Sequence, residues 1–105
     1  MHYYVVQISA IPTVIKSTVS SYYIKGNQVN VICNTTGVPT PSVHWIRMID
    51  GYKYQTFTGV SYLRFDPIDK GDAGRYKCIA TNSAGSDEET VDIVVYCKYS
   101  FQIHC

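Results

Sequence analysis

The sequence predicts an all-β domain, a sandwich or a barrel. Short apolar or alternating runs recur about every 8–12 residues, separated by Gly, Pro, Asn and Asp turn signals. No stretch carries a convincing amphipathic-helix pattern, and none approaches the roughly 18 uninterrupted apolar residues of a membrane span. Ten tyrosines and one tryptophan supply side chains that strands favour, with an apolar body and a polar tip. The length of 105 residues allows one domain. With 46% hydrophobic and 16% charged residues, the composition excludes a disordered segment. Nine Lys and Arg against eight Asp and Glu leave a net charge of +1. That is no excess for binding nucleic-acid phosphates or anionic lipid, so neither nucleic acid nor membrane insertion is expected.

Each run can be justified in turn. Pro12 opens a run through Val14 and Ile15, and a proline suits an edge strand because it has no N–H to donate. Gly26-Asn27 turns the chain into Gln28–Asn34, where Val29, Val31 and Cys33 share one face. Gly37 to Pro41 reads as a loop. Val43 and Trp45 then share a face opposite His44, Ile46 and Met48. Asp50-Gly51 turns the chain, and residues 52–60 read as one short edge strand. Leu63 and Phe65 alternate with Tyr62 and Arg64. Residues 66–74, rich in Asp, Gly and Pro, form a tight corner. From Arg75 to Thr81, Tyr76, Cys78 and Ala80 take one side. Asn82 to Gly85 reads as a hairpin turn, with Gly85 able to adopt positive φ. Glu89 to Tyr96 is a last long strand with Val91, Ile93 and Val95 on one face. No internal repeat appears, so residues 11–96 read as the domain, 1–10 as an extension or leading strand, and 97–105 as an atypical tail.

Cys33 and Cys78 thus fall on the inward faces of two separate strands, with Trp45 inward on a third. Tyr76 lies two residues before Cys78, within Asp72-Ala-Gly-Arg-Tyr76-Lys-Cys78. Around them stand Gly26, Val29, Val31, Gly37, Pro39, Pro41, Leu63, Phe65, Ile68, Ala80, Asn82 and Gly85. In this pattern the chain, from about Ile11 to Tyr96, resembles an intermediate-set (I-set) immunoglobulin domain, a two-sheet Greek-key β-sandwich. Gly-Arg-Tyr-Lys-Cys followed by Ile-Ala-Thr-Asn-Ser-Ala-Gly-Ser-Asp is most similar to hemicentin and neural adhesion-type extracellular domains. The resemblance implies a Cys33–Cys78 disulfide joining the sheets against Trp45. It also implies a tyrosine corner at Tyr76, with Leu63 and Asp72 as further structural core positions.

The four cysteines form an even set in a small chain and lack CxxC spacing, which points to an oxidising compartment. Asn34-Thr35-Thr36 is an N-glycosylation sequon. Residues 1–10 have no basic start, and Gln7 and Ser9 interrupt the apolar run, so they read as a strand rather than as a leader, with Met1 an engineered start or the start of a cut gene product. Tandem relatives run on into a proline-rich linker, whereas Cys97 to Cys105 fits no second domain. It reads as a truncated or aberrantly spliced end, as a Cys97–Cys105 clasp, or as a site of covalent dimerisation.

No catalytic set emerges. His2, His44 and His104 lie apart, and none accompanies a nucleophile motif. Cys97, His104 and Cys105 lack a fourth ligand and regular spacing for zinc. Asp87-Glu88-Glu89 with Asp92 reads as a solvated hairpin tip, since calcium needs a cage of about six or more oxygens. No phosphate loop is present, and no enzyme, metal or cofactor is expected. Alternation instead turns His44, Ile46, Met48, Lys77, Ile79, Thr81, Asp92, Val94 and Tyr96 outward. In the family's topology these belong to strands C, F and G, and they should make one apolar sheet face. Asn34 points outward on strand B of the other sheet.

The expected function is a non-catalytic, extracellular or cell-surface protein-recognition or adhesion module of a larger cell-surface or matrix protein. It would bind another protein, a second copy of itself included, through the C–F–G face, with neighbouring immunoglobulin domains in its parent chain. The alternative is a structural spacer in a tandem array, an intracellular muscle-type domain included.

Overall fold

The computed structural model describes residues 8–17, 19–50, 53–58 and 61–98. Among the described residues nine strands follow one another: β1 Ala10–Ser17, β2 Tyr23–Ile24, β3 Val29–Val38, β4 Ser42–Asp50, β5 Lys53–Thr58, β6 Tyr62–Phe65, β7 Gly74–Asn82, β8 Gly85–Ile93 and β9 Val95–Tyr96. A 3-10 turn at Lys70–Asp72 lies between β6 and β7. Strands β1-β3-β6 form one antiparallel sheet, and β5-β4-β7-β8 the facing four-stranded one. β2 and β9 pair in parallel beside them.

Period-two patterning builds the core. Along β3, Val29, Val31 and Cys33 are buried while Asn30, Ile32 and Asn34 are exposed. Tyr76, Cys78 and Ala80 are buried along β7, and Val91 and Ile93 along β8. Side chains that alternate across a strand put every second residue on one face, so two facing sheets enclose these sets with Trp45, Leu63, Ile68 and Val95. The corner expected over residues 66–74 contains the 3-10 turn, capped by Asp69, whose carboxylate accepts from Lys70 N at 2.7 Å.

Four expectations need correction. The loop expected from Gly37 is strand as far as Val38, because β1 continues alongside and pairs Ala10 with Val38. The last strand is not continuous. Pairing with β7 ends at Ile93, and after Val94 the chain pairs with β2, where Tyr23 N donates to Val94 O at 2.8 Å. Asp87, Glu88 and Glu89 are not at a hairpin tip but lie within β8, opposite Ala80, Ile79 and Cys78. Asp72 is half-buried at the corner rather than in the core, and its carboxylate accepts from Asp69 N at 2.8 Å.

Candidate functional site

Inside the sandwich, Cys33 and Cys78 are disulfide-bonded with their Cα atoms 6.5 Å apart. Trp45 lies directly across from Cys78 in the β4–β7 register and is fully buried. Tyr76 donates its hydroxyl to Asp72 O at 2.6 Å, which ties the start of β7 to the corner before it. Burial pushes the Tyr76 phenol up to about 12; Arg47 opposes this shift and Asp72 adds to it. The Arg47 guanidinium lies 5.4 Å from the Tyr76 ring centroid and donates to Ala73 O at 3.0 Å and to Gly71 O. Sequence reasoning passed over this arginine. The available signal was a cation two residues past Trp45, on the inward side of an otherwise apolar alternation.

Asn82 does more than open the expected turn. Its carbonyl oxygen accepts from Ala84 N at 2.8 Å and Gly85 N at 3.2 Å, closing the β7–β8 hairpin. Its amide nitrogen donates to Ala10 O at 3.0 Å and Pro39 O at 2.9 Å, tying β1 and the β3–β4 connection to that hairpin. One side chain therefore links three segments distant in sequence.

The outward side of the four-stranded sheet carries most of the residues expected there. His44 lies opposite Ile79, and Ile46 opposite Lys77. These four are half-buried, while Met48 is 41% exposed. Toward β8 the face becomes charged: Lys77 Nζ pairs with Glu88 at 3.4 Å and Arg75 Nε with Asp92 at 3.0 Å. Val94 and Tyr96 fall beyond the last β7–β8 pair and are not part of that sheet. The Tyr96 ring packs against Tyr22 at 5.2 Å between centroids. The sheet therefore holds the His44, Ile46, Met48, Lys77 and Ile79 group and separates it from Val94 and Tyr96.

On the other sheet, Asn34 is exposed on β3. Asn30, Ile32, Ser61, Tyr62 and Arg64 line a shallow cleft of about 290 Å³ next to it. Cys97 is disulfide-bonded and half-buried. Cys105, its partner in one of the three readings of the tail, lies outside the described residues, as do His2 and His104. Among the described residues, no group of three or more His, Cys, Asp or Glu could hold a metal ion, and no helix is long and apolar enough to cross a membrane.

A two-sheet sandwich closed by an inter-sheet disulfide against a buried tryptophan, with a tyrosine corner beside it, defines an immunoglobulin-type domain. The immunoglobulin I-set domain model matches residues 12–95, and the chain belongs to that family. Protein sidekick-2 of Mus musculus is 31% identical over 105 residues, which covers 90% of this chain and 5% of its own length. Hemicentin-2 of Mus musculus is 38% identical over 96 residues, covering 87% of this chain and 2% of itself. Neural cell adhesion molecule 1 of Bos taurus is 32% identical over 81 residues, covering 70% and 9%. The chain thus spans less than a tenth of each of these relatives. Among solved structures, a chimeric titin Z1Z2 carrying an exogenous decorin peptide superposes with a TM-score of 0.69 at 28% identity, over 86% of this chain and 99% of that one.

Proposed function

We propose that the chain is a non-catalytic recognition module of a larger extracellular or cell-surface protein. It binds another protein through the outward face of β4, β7 and β8. The observation that carries this reading is the outward arrangement of Ile46, Ile79 and Met48 on the two central strands, with Lys77 and Arg75 beside them on β7 paired to Glu88 and Asp92 on the edge strand β8. An apolar centre with a charged rim is how protein interfaces are built: the centre loses water and the rim sets register. The similarity to neural cell adhesion molecule 1 supports an adhesion role. The partner class tested first is a second copy of the chain, since one self-complementary patch suffices for a two-fold dimer.

The test is sedimentation of the full chain, secreted from a glycosylating host, over a wide concentration range. Non-reducing gels run alongside to exclude covalent pairing through Cys97. A reversible dimer that Ile79→Arg abolishes, with unchanged thermal unfolding, is expected. A dimer that survives Ile79→Arg refutes the face. A monomer at every concentration, wild type included, refutes self-association. It then favours the second reading, a spacer in a tandem array, which the likeness to titin Z1Z2 supports. An intracellular spacer would keep Cys33 and Cys78 reduced.

A further inference from the structure

The second sheet presents an exposed apolar pair that nothing in the recognition reading uses. Ile32 on β3 and Tyr62 on β6 are direct cross-strand partners, 41% and 48% exposed. The next pair along, Asn30 opposite Arg64, sets polar side chains beside them, and the four residues line the 290 Å³ cleft together with Ser61. Asn34 follows Ile32 by two residues on the same exposed face of β3 and opens the Asn34-Thr35-Thr36 sequon.

We propose that Asn34 carries an N-linked glycan whose first N-acetylglucosamine lies on the Ile32–Tyr62 pair. The inference rests on the reading that the chain passes through the secretory pathway. Glycosylation joins Asn34 Nδ2 to C1 of the sugar as the bond from C1 to a lipid-linked pyrophosphate donor breaks. The amide loses one proton, and the lipid pyrophosphate leaves. Residues two apart on a strand are about 6.8 Å apart, and the diagonal from Asn34 to Tyr62 is about 7–8 Å, within reach of the first ring. A sugar ring has one face of C–H groups, which pack on the Tyr62 ring and cover Ile32. Its hydroxyl and acetamido groups remain at the polar rim of Asn30 and Arg64. The glycan thereby removes exposed apolar area from one sheet and leaves the β4–β7–β8 face open.

The experiment uses the full chain with a host leader in a glycosylating cell line, so its outcome does not depend on where the native chain resides. Intact mass and peptide mapping before and after enzymatic deglycosylation are expected to show Asn34 occupied and converted to Asp on release. An unoccupied Asn34 overturns the site. Protein trimmed to a single N-acetylglucosamine is expected to melt roughly 4 °C above Asn34→Gln, and Tyr62→Ser should abolish the difference. Equal melting, or a gain that survives Tyr62→Ser, overturns the seating. Should Tyr62→Ser not fold, proton NMR of the trimmed wild type decides. Upfield-shifted sugar ring protons are expected above an aromatic face, and unshifted ones overturn the contact.

Discussion

Asn82 uses both ends of its amide, with two acceptor bonds that close its own hairpin and two donor bonds that hold β1 and Pro39. At about 1 kcal/mol net for each bond, Asn82→Ala should lower the free energy of urea unfolding by about 4 kcal/mol. A loss below about 1 kcal/mol would mean that water replaces these partners without penalty. Asn82→Asp keeps the turn bonds but sets a carboxylate against two carbonyls, and should be at least as damaging. Tyr76 makes a pH prediction. Its folded phenol titrates near 12, against an ordinary 10, so the unfolded chain releases this proton first. The stability that depends on the neutral phenol is complete below pH 10 and falls as pH rises toward 12. Tyr76→Phe should remove this component, flattening the alkaline fall in stability relative to wild type. It should also lower stability at pH 7, as the bond to Asp72 O is lost. Tyr76 was legible from its spacing to Cys78. The donor side of Asn82 was not, because its partners lie 72 and 43 residues away.

At the scale of the strands, β1 packs tightly against the end of β3 at Gly37. A Cβ there would stand 2.9 Å from Pro41 Cγ, 3.2 Å from Asn82 Nδ2 and 3.2 Å from Pro12 Cα. Pro12 Cα is backbone and cannot swing aside. Gly37→Ala should therefore destabilise the domain by about 1–3 kcal/mol, in the range of overpacking substitutions. Hydrogen exchange should show faster loss of amide protection in β1 than in β7; uniform loss would place the strain elsewhere. The sequence marked Gly37 as part of a loop, because a glycine between β-branched residues and prolines has turn composition. The register with β1 makes it strand instead. The break at Val94 has the same origin. Local alternation runs unbroken from Glu89 to Tyr96, and only the arrival of β2 divides it.

For the molecule as a whole, the Cys33–Cys78 bond closes a loop with a sequence separation of 45. In the chain-entropy model such a loop constrains the unfolded state by about 4 kcal/mol. Replacing both cysteines with alanine should lower stability by that order, and calorimetry of the variant against wild type without reductant is the measurement. A loss below about 1 kcal/mol would mean that Trp45 and the packed strands close the sandwich unaided. The two sheets also divide the surface. One outward face gathers Ile46, Ile79 and Met48, and the other gathers Ile32, Tyr62 and Asn34.

By itself the sequence determined which residues face inward. Side-chain direction alternates along each strand, so Val29, Val31, Cys33, Trp45, Tyr76, Cys78, Val91 and Ile93 could be assigned from their neighbours alone. It also marked the cysteine, tryptophan and tyrosine positions that define the family. Only the tertiary structure decided where strands end and which polar groups close the gaps. Strand ends depend on a partner strand, as at Val38 and Val94. Arg47 and Asn82 bond to carbonyls that folding brings from 24 to 72 residues away. Such bonds leave no local periodicity, so only the folded chain reveals them.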